Sequence, residues 1–388
     1  MTDAVISRAR VVDANGAEAE RDVVIRDGLI AAVRPAASAA AATEPGRFDA
    51  SGCYVLPGLV DIHLHGALGL TFNDPDPGAW REILAFHLAA GTTTALPTVM
   101  TDGLDALCAA LRTARELGMP AHLEGPYLSP QQRGAHPAGL LRAPADGSWP
   151  LLAEFLDVVR LVTLAPELAG AQRVIGECAR AGVVASVGHS EAGEELLRSA
   201  RRLGLSHIAH LWSGQSALRK SGPWRHPGLL EAALASDGYT AEVIADGRHL
   251  PAVLLQIAYR CLGPGRLCLV SDASAGTGLP PGSEFAMGEA AGVVADGVAL
   301  TRDGRSFCGS TSTLLDTLRF AVRDAGIPLA GAVRMATATP ARILGWGDRV
   351  GSIGTGLQAD LLIVTGTLDL VAVVSGGRVL EAVEAAHG

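Results

Sequence analysis

The chain has 388 residues, enough for one large domain or two ordinary ones, and with 48% hydrophobic against 18% charged residues it excludes intrinsic disorder. Its 31 basic and 40 acidic residues leave a formal charge of −9; with no long Lys/Arg run and only 4% aromatic residues, it excludes an extended nucleic-acid groove. Six scattered cysteines without a CxxC pair predict free thiols in a reducing cytoplasm, the N-terminus lacks the pattern of a secretory signal, and no run of about eighteen apolar residues predicts a membrane helix.

In chain order, short strands come first. Residues 4–12 and 22–26 carry β-branched side chains, Asp27-Gly28 predicts a turn, and 29–33 resumes a strand. An Ala/Pro-rich loop is predicted over 35–46, and a strand over 53–56 ends at Pro57-Gly58. From Leu59 onward apolar runs alternate with Ala/Leu/Arg helical segments. Strands are predicted over 94–97, 121–123, 159–164, 183–187, 207–209, 240–244 and 267–270, and helices over 104–117, 171–181, 191–203 and 251–261. Near-continuous apolar strands between helices imply a parallel sheet buried on both faces, and about eight such units fit before residue 345, the size of a (β/α)8 barrel. Strands return over 360–364, 371–374 and 378–383, with Gly376-Gly377 as a hairpin turn. The expected architecture is therefore α/β, a TIM-like (β/α)8 barrel over 55–345 with a small β-sandwich domain built from both chain ends, 1–54 and 346–388.

The chemistry concentrates at predicted strand ends. In Asp61-Ile62-His63-Leu64-His65-Gly66, strand residues two apart share a face, so His63 and His65 project together and can hold one borderline metal ion. An isolated His-x-His is more simply a turn cap and a core histidine; the Pro-Gly entry and the preceding Asp favour metal. Glu124 ends the next apolar strand before a Gly-Pro break, where a carboxylate is costly unless paired or metal-bound. His122 shares its parity, and either can face the barrel interior. His189 and His210 each close a later strand, and Asp272 follows the apolar run 268–271. An acid there is either an N-cap or the group that takes a proton from water and returns it to a leaving amine.

Taken together, PGLVDIHLHG (57–66), HLEGPYLSPQQRGAHP (122–137), VGHS (187–190), IADGRHL (244–250), LVSDA (269–273), GSTSTL (309–314) and GSIGTGLQADLLIV (351–364) resemble the amidohydrolase superfamily and, within it, the N-acetylglucosamine-6-phosphate deacetylases, over nearly the whole chain. The resemblance implies a metal-dependent hydrolase that removes the acetyl group of an amino sugar, with N-acetylglucosamine 6-phosphate as the leading substrate. It implies Glu124, His189 and His210 as principal metal ligands and His63 with His65 as a second position. The cofactor is a divalent metal, zinc or iron, as one or two ions. Asp272 is implied as general base and acid, and His136 and His249 as substrate contacts, with His249 near the acetyl carbonyl. Arg225, in an Arg-His-Pro-Gly segment, matches an arginine that grips the sugar phosphate, in the family often from a neighbouring subunit, so a homodimer is expected. After its metal histidine the family reads His-Leu-Phe/Tyr-Asn-Ala-Met, whereas this chain reads His210-Leu211-Trp212-Ser213-Gly214-Gln215. Gly214 can still offer a backbone N–H to a phosphate. The alternatives are a deacetylase of another N-acyl amino sugar, an amidohydrolase acting on N-acyl amino acids or cyclic amides, or a catalytically silent barrel. No nucleic-acid or membrane partner is expected.

Overall fold

The structure, a computed structural model, describes residues 4–12, 18–36 and 46–381. Most of the loop expected over 35–46, and the last two residues of the strand expected over 378–383, lie outside the described residues. The chain divides into two compact units, residues 1–61 with 85–95 and 313–388, and residues 62–84 with 96–312.

In the first unit both chain ends enter one eight-stranded mixed sheet, which is the form the expected small β domain takes. The N-terminal and C-terminal segments meet where Tyr54–Pro57 pairs antiparallel with Leu361–Val364. Ala4–Val12 runs parallel to Tyr54–Pro57 on its other side and antiparallel to Glu18–Arg26. Two hairpins set the register, and both have the pair of positive φ values that primed turns require: Asp27 and Gly28 at 50° and 80°, Gly376 and Gly377 at 53° and 79°. The β-branched residues of these strands form the core, with Ile6, Val23, Ile25, Val55, Ile363 and Val374 buried against one another.

Eight parallel strands make the barrel sheet: β1 (Leu59–Leu64), β2 (Thr92–Met100), β3 (Ala121–Glu124), β4 (Val159–Leu164), β5 (Val184–Val187), β6 (Leu205–Ile208), β7 (Thr240–Ile244) and β8 (Leu267–Val270). They follow one another in this order around the sheet. Beyond the end of β8, Asp272 N–H donates to His63 O at 2.9 Å and His65 N–H to Ala273 O at 2.7 Å, which brings the last strand's exit against the first. Every residue of β1, β3 and β8 is buried, as expected for strands covered on both faces. The intervening helices follow ordinary rules. Leu104–Glu116 buries Leu107, Ala110, Leu111 and Ala114 at helical spacing. Glu194–Arg202 has Glu194 and Glu195 in its first turn and Arg201 and Arg202 in its last, matching the helix dipole.

The second unit carries elements not expected from the sequence. Glu284–Met287, Ala290–Ala295 and Val298–Thr301 form a three-stranded antiparallel sheet, and Arg219–Ser221 pairs with Trp224–His226 in a short exposed hairpin.

Candidate metal and active site

The strand ends converge on Glu124. Its carboxylate lies 3.0 Å from His210 Nε2, 3.2 Å from His189, 3.3 Å from His65, 3.4 Å from His63 and 3.5 Å from His136. Asp272 Oδ1 stands 3.2 Å from His65 Nε2 and 3.7 Å from His63 Nε2. All these residues are buried. Thus Glu124, His63, His65, His189, His210, His136 and Asp272 are brought into one cluster.

The other face of each ring explains its orientation. His63 Nδ1 donates to Glu242 Oε2 at 2.8 Å, His189 Nδ1 to Gln132 O at 2.8 Å, and His210 Nδ1 to Ser213 O at 3.2 Å. Those acceptors take only protons, so in the neutral rings the bare Nε2 lone pairs would all point at a carboxylate. That arrangement is repulsive unless cations stand between them, either protons or a metal ion. The same set offers ligand groups of three: His63, His65 and Asp272; His63, Glu124 and His210; and Glu124, His136 and His189. Buried imidazole and carboxylate donors in such numbers fit a borderline divalent metal.

Without a metal, protons fill the role. Burial pulls His65 down, but hydrogen bonds to Asp272 and Glu124 outweigh it and carry its pKa up to about 9. Burial disfavours charge on Glu124, yet the surrounding histidines, His63 foremost, hold it well below the usual carboxylate range. Burial and the nearby His189 charge bring His136 down to about 4, so its ring is neutral near neutral pH; its Nδ1 lies 2.9 Å from Thr101 Oγ1.

Three non-glycine residues in this lining adopt positive φ: His189 at 49°, Trp212 at 71° and Asp272 at 47°. Side chains rarely adopt that region, and such strain tends to collect where a side chain must be aimed rather than relaxed. A cavity of about 260 Å³ opens over the cluster. His249, Trp212, Ser213 and Gly214 are among its lining residues, and Met100, Met287, Phe307 and Cys308 add apolar surface to it. His249 Nδ1 donates to Asp246 Oδ2 at 2.7 Å, and its ring lies 4.2 Å from the Phe307 ring, which leaves Nε2 for a ligand. Gly214 sits at φ 61°, where a Cβ would lie 2.5 Å from His189 Nδ1.

Arg225 stands apart. It lies on the exposed hairpin, its guanidinium donates to Pro223 O at 2.7 Å, and it does not line the cavity of its own chain. Among the described residues no arginine or lysine lines that cavity. His122, whose parity left its role open, points into the barrel but lies between Thr98 Oγ1 (3.1 Å) and Thr163 Oγ1 (2.9 Å), a satisfied core histidine held neutral by burial and the His63 charge.

Two acids were not singled out from the sequence. Glu242 lies in mid-β7, fully buried, between His63 and His207, whose Nε2 is 2.9 Å away. A charged residue inside the apolar run 240–244 was the available signal. Asp246 caps the loop after β7, accepting from the N–H groups of Arg248 and His249 as well as from the His249 ring.

Comparison with known proteins agrees with this architecture. The amidohydrolase family model matches residues 54–380. The chain is 32% identical over 373 residues to the N-acetylgalactosamine-6-phosphate deacetylase of Shewanella sp. (strain ANA-3), covering 94% of this chain and 93% of that protein. It is 31% identical over 342 residues to the N-acetylglucosamine-6-phosphate deacetylase of Bacillus subtilis (strain 168), covering 84% of each. Among solved structures it superposes on the N-acetyl-D-glucosamine-6-phosphate deacetylase of Mycobacterium smegmatis in complex with N-acetyl-D-glucosamine-6-phosphate, with TM-score 0.89 and 30% identity over 98% of this chain and 99% of the other.

Proposed function

The chain belongs to the amidohydrolase family, and we propose that it hydrolyses the N-acetyl group of an N-acetylhexosamine 6-phosphate, releasing acetate and the amino sugar phosphate. The observation that carries this reading is the convergence of five imidazoles on buried Glu124, with Asp272 on the same cavity wall. Relatives named for the galactosamine and for the glucosamine phosphate match at 32% and 31% identity, so the reading covers both epimers.

Glu124, His189 and His210 are the proposed principal ligands, with His63 and His65 completing a second position. These residues would hold a divalent ion, zinc first and iron second, which would supply Lewis-acid chemistry for the amide carbonyl and the attacking water. Asp272 takes a proton from that water as it adds to the carbonyl carbon. It then delivers the proton to the amide nitrogen as the C–N bond breaks, so the amine leaves neutral and Asp272 is returned as a carboxylate. As the doubly protonated imidazolium, with Asp246 as counter-ion at Nδ1, His249 would donate from Nε2 to the carbonyl oxygen as negative charge develops. His136 contacts the sugar, and the apolar surface of Met100, Met287 and Cys308 suits the acetyl methyl. For the phosphate, the Gly214 N–H and Arg225 from a second copy of the chain are the proposed contacts; the latter reading is supported by a cavity that no arginine or lysine lines among the described residues and by an exposed hairpin carrying Arg225. The division into a hydrolytic barrel over 55–345 and a β domain from 1–54 and 346–388 is proposed as the functional one. A cytoplasmic location is proposed from six free thiols; among the described residues no helix is long and apolar enough to cross a membrane.

Acetate release from a panel of N-acetylhexosamines, with and without 6-phosphate, tests the reading. Acetate from the phosphorylated sugars is the expected result. Inactivity on all of them, or turnover of N-acyl amino acids or cyclic amides instead, overturns it.

A further inference from the structure

We infer that Glu242 is a positioning residue that fixes the orientation of His63, and that the second metal position proposed above depends on it. The inference rests on the metal-dependent reading above. Glu242 lies in the middle of β7, fully buried between Ala241 and Val243 in the strand, a costly place for a carboxylate that does nothing. It reaches past β8 to the first strand, where Oε2 accepts from His63 Nδ1 at 2.8 Å. The same oxygen accepts the His210 backbone N–H at 3.2 Å, and Oε1 takes His207 Nε2 at 2.9 Å. His207 is in turn held by Thr240 Oγ1 at 2.7 Å, two residues before Glu242 on the same strand.

A carboxylate accepts and does not donate, so the hydrogen on His63 is placed on Nδ1 and Nε2 is presented bare. That Nε2 lies between Glu124 Oε1 at 3.4 Å and Asp272 Oδ1 at 3.7 Å. His63, His65 and Asp272 thereby form a ligand group different from the group of Glu124, His136 and His189. His63 also shares a group with Glu124 and His210, so it stands where the two positions meet. Turned the other way, with Nε2 protonated, His63 offers nothing to either ion. Glu242 acts on the reaction only through this ring and through the backbone of His210, so it positions and does not touch substrate.

Glu242→Gln and Glu242→Leu separate orientation from charge. Glutamine can still accept from His63 Nδ1 through its carbonyl oxygen, while it loses the negative charge and turns an NH2 group toward His207; leucine removes both acceptors. Each protein is loaded with Zn²⁺ and dialysed, the ions per chain are counted by elemental analysis, and the affinity of the weaker site is read by competition with a chromophoric chelator. The wild type should hold two ions. Glu242→Gln should hold the second about 10–100-fold more weakly, the usual cost of altering the outer partner of a ligand, here by removing the charge that raises the basicity of His63. Glu242→Leu should hold one ion. A wild type that never exceeds one ion, variants that keep two with unchanged affinity, or a leucine variant that stays folded and loses both ions together overturns the inference. If the leucine variant does not fold, the glutamine affinity alone decides. Because the count is made without substrate, failure of the deacetylase reading shows up separately, as absent acetate release.

Discussion

Replacing Asp272 by asparagine leaves a side chain of the same shape that can neither take a proton from water nor return it to the amine. General acid–base groups contribute about 10²–10⁴-fold, so Asp272→Asn should lower kcat by at least about 10²-fold while the ion held by Glu124, His189 and His210 is retained. Unchanged kcat would assign the proton transfer to another residue. Glu124→Gln acts differently, because it removes the negative charge that faces five imidazoles. Elemental analysis should show most of the bound metal gone from a folded protein, and full occupancy would sink its place as principal ligand. Protons compete for the same cluster. His65 is carried up to about 9 in the metal-free site, so near neutral pH it is protonated and must release that proton to bind an ion. Metal affinity should therefore weaken as pH falls below about 9, and zinc added to metal-free protein in weak buffer at pH 7.5 should acidify the solution. A titration with no proton release contradicts the assignment of His65 as a ligand.

At the scale of elements, the segment after β6 carries the departure from the family pattern, and it is firmly tied. Ser190 N–H donates to Gly214 O at 3.1 Å, and Trp212 N–H donates to Gln215 Oε1 at 3.3 Å. Gly214→Ala would place a methyl group 2.5 Å from His189 Nδ1 and 2.9 Å from Gln132 O, the two partners of the bond that orients His189, on a backbone at φ 61°. Overpacking and the strained φ should together cost about 1–3 kcal/mol of stability and weaken metal binding. A melting temperature and metal content equal to wild type would show that the loop yields. The exposed hairpin makes a different prediction. If Arg225 serves the neighbouring copy's phosphate, Arg225→Ala should lose far more kcat/KM on a 6-phosphate sugar than on the free sugar. Mixed and reassembled with Asp272→Asn chains, it should recover activity, because a hybrid pair holds one cavity with both groups. No recovery on mixing argues for action within one chain.

For the whole molecule, the structural elements of the two chain ends and the barrel strands were largely legible along the chain, because each rests on local periodicity. The spans 4–12, 159–164, 240–244 and 267–270 agree with the strands at both boundaries, and Asp27-Gly28 and Gly376-Gly377 make the turns their composition predicts. The three-stranded sheet over 284–301 was not found. Its strands are short and rich in Ala, although Asp296-Gly297, at φ 52° and 73°, was a visible hairpin signal. The ligand candidates were legible for a physical reason: strand parity puts His63 with His65, and a polar residue closing an apolar strand must find a partner in the fold. How residues from different strands face one another is not written in any local period. The reach of Glu242 from β7 to His63 on β1 follows from how the strands stagger around the barrel, which is set by pairings between segments far apart in the chain. The same holds for Arg225, whose motif read as a phosphate contact but whose hairpin carries it out of its own cavity. Composition, periodicity and motif spacing thus sufficed for the class of fold and the inventory of donors, each of which depends on a residue and its near neighbours. Which donors meet, which acceptor faces which ring nitrogen, and which charge lies outside the cavity came from the folded chain, because each is a distance between residues whose separation in sequence carries no information about their separation in space.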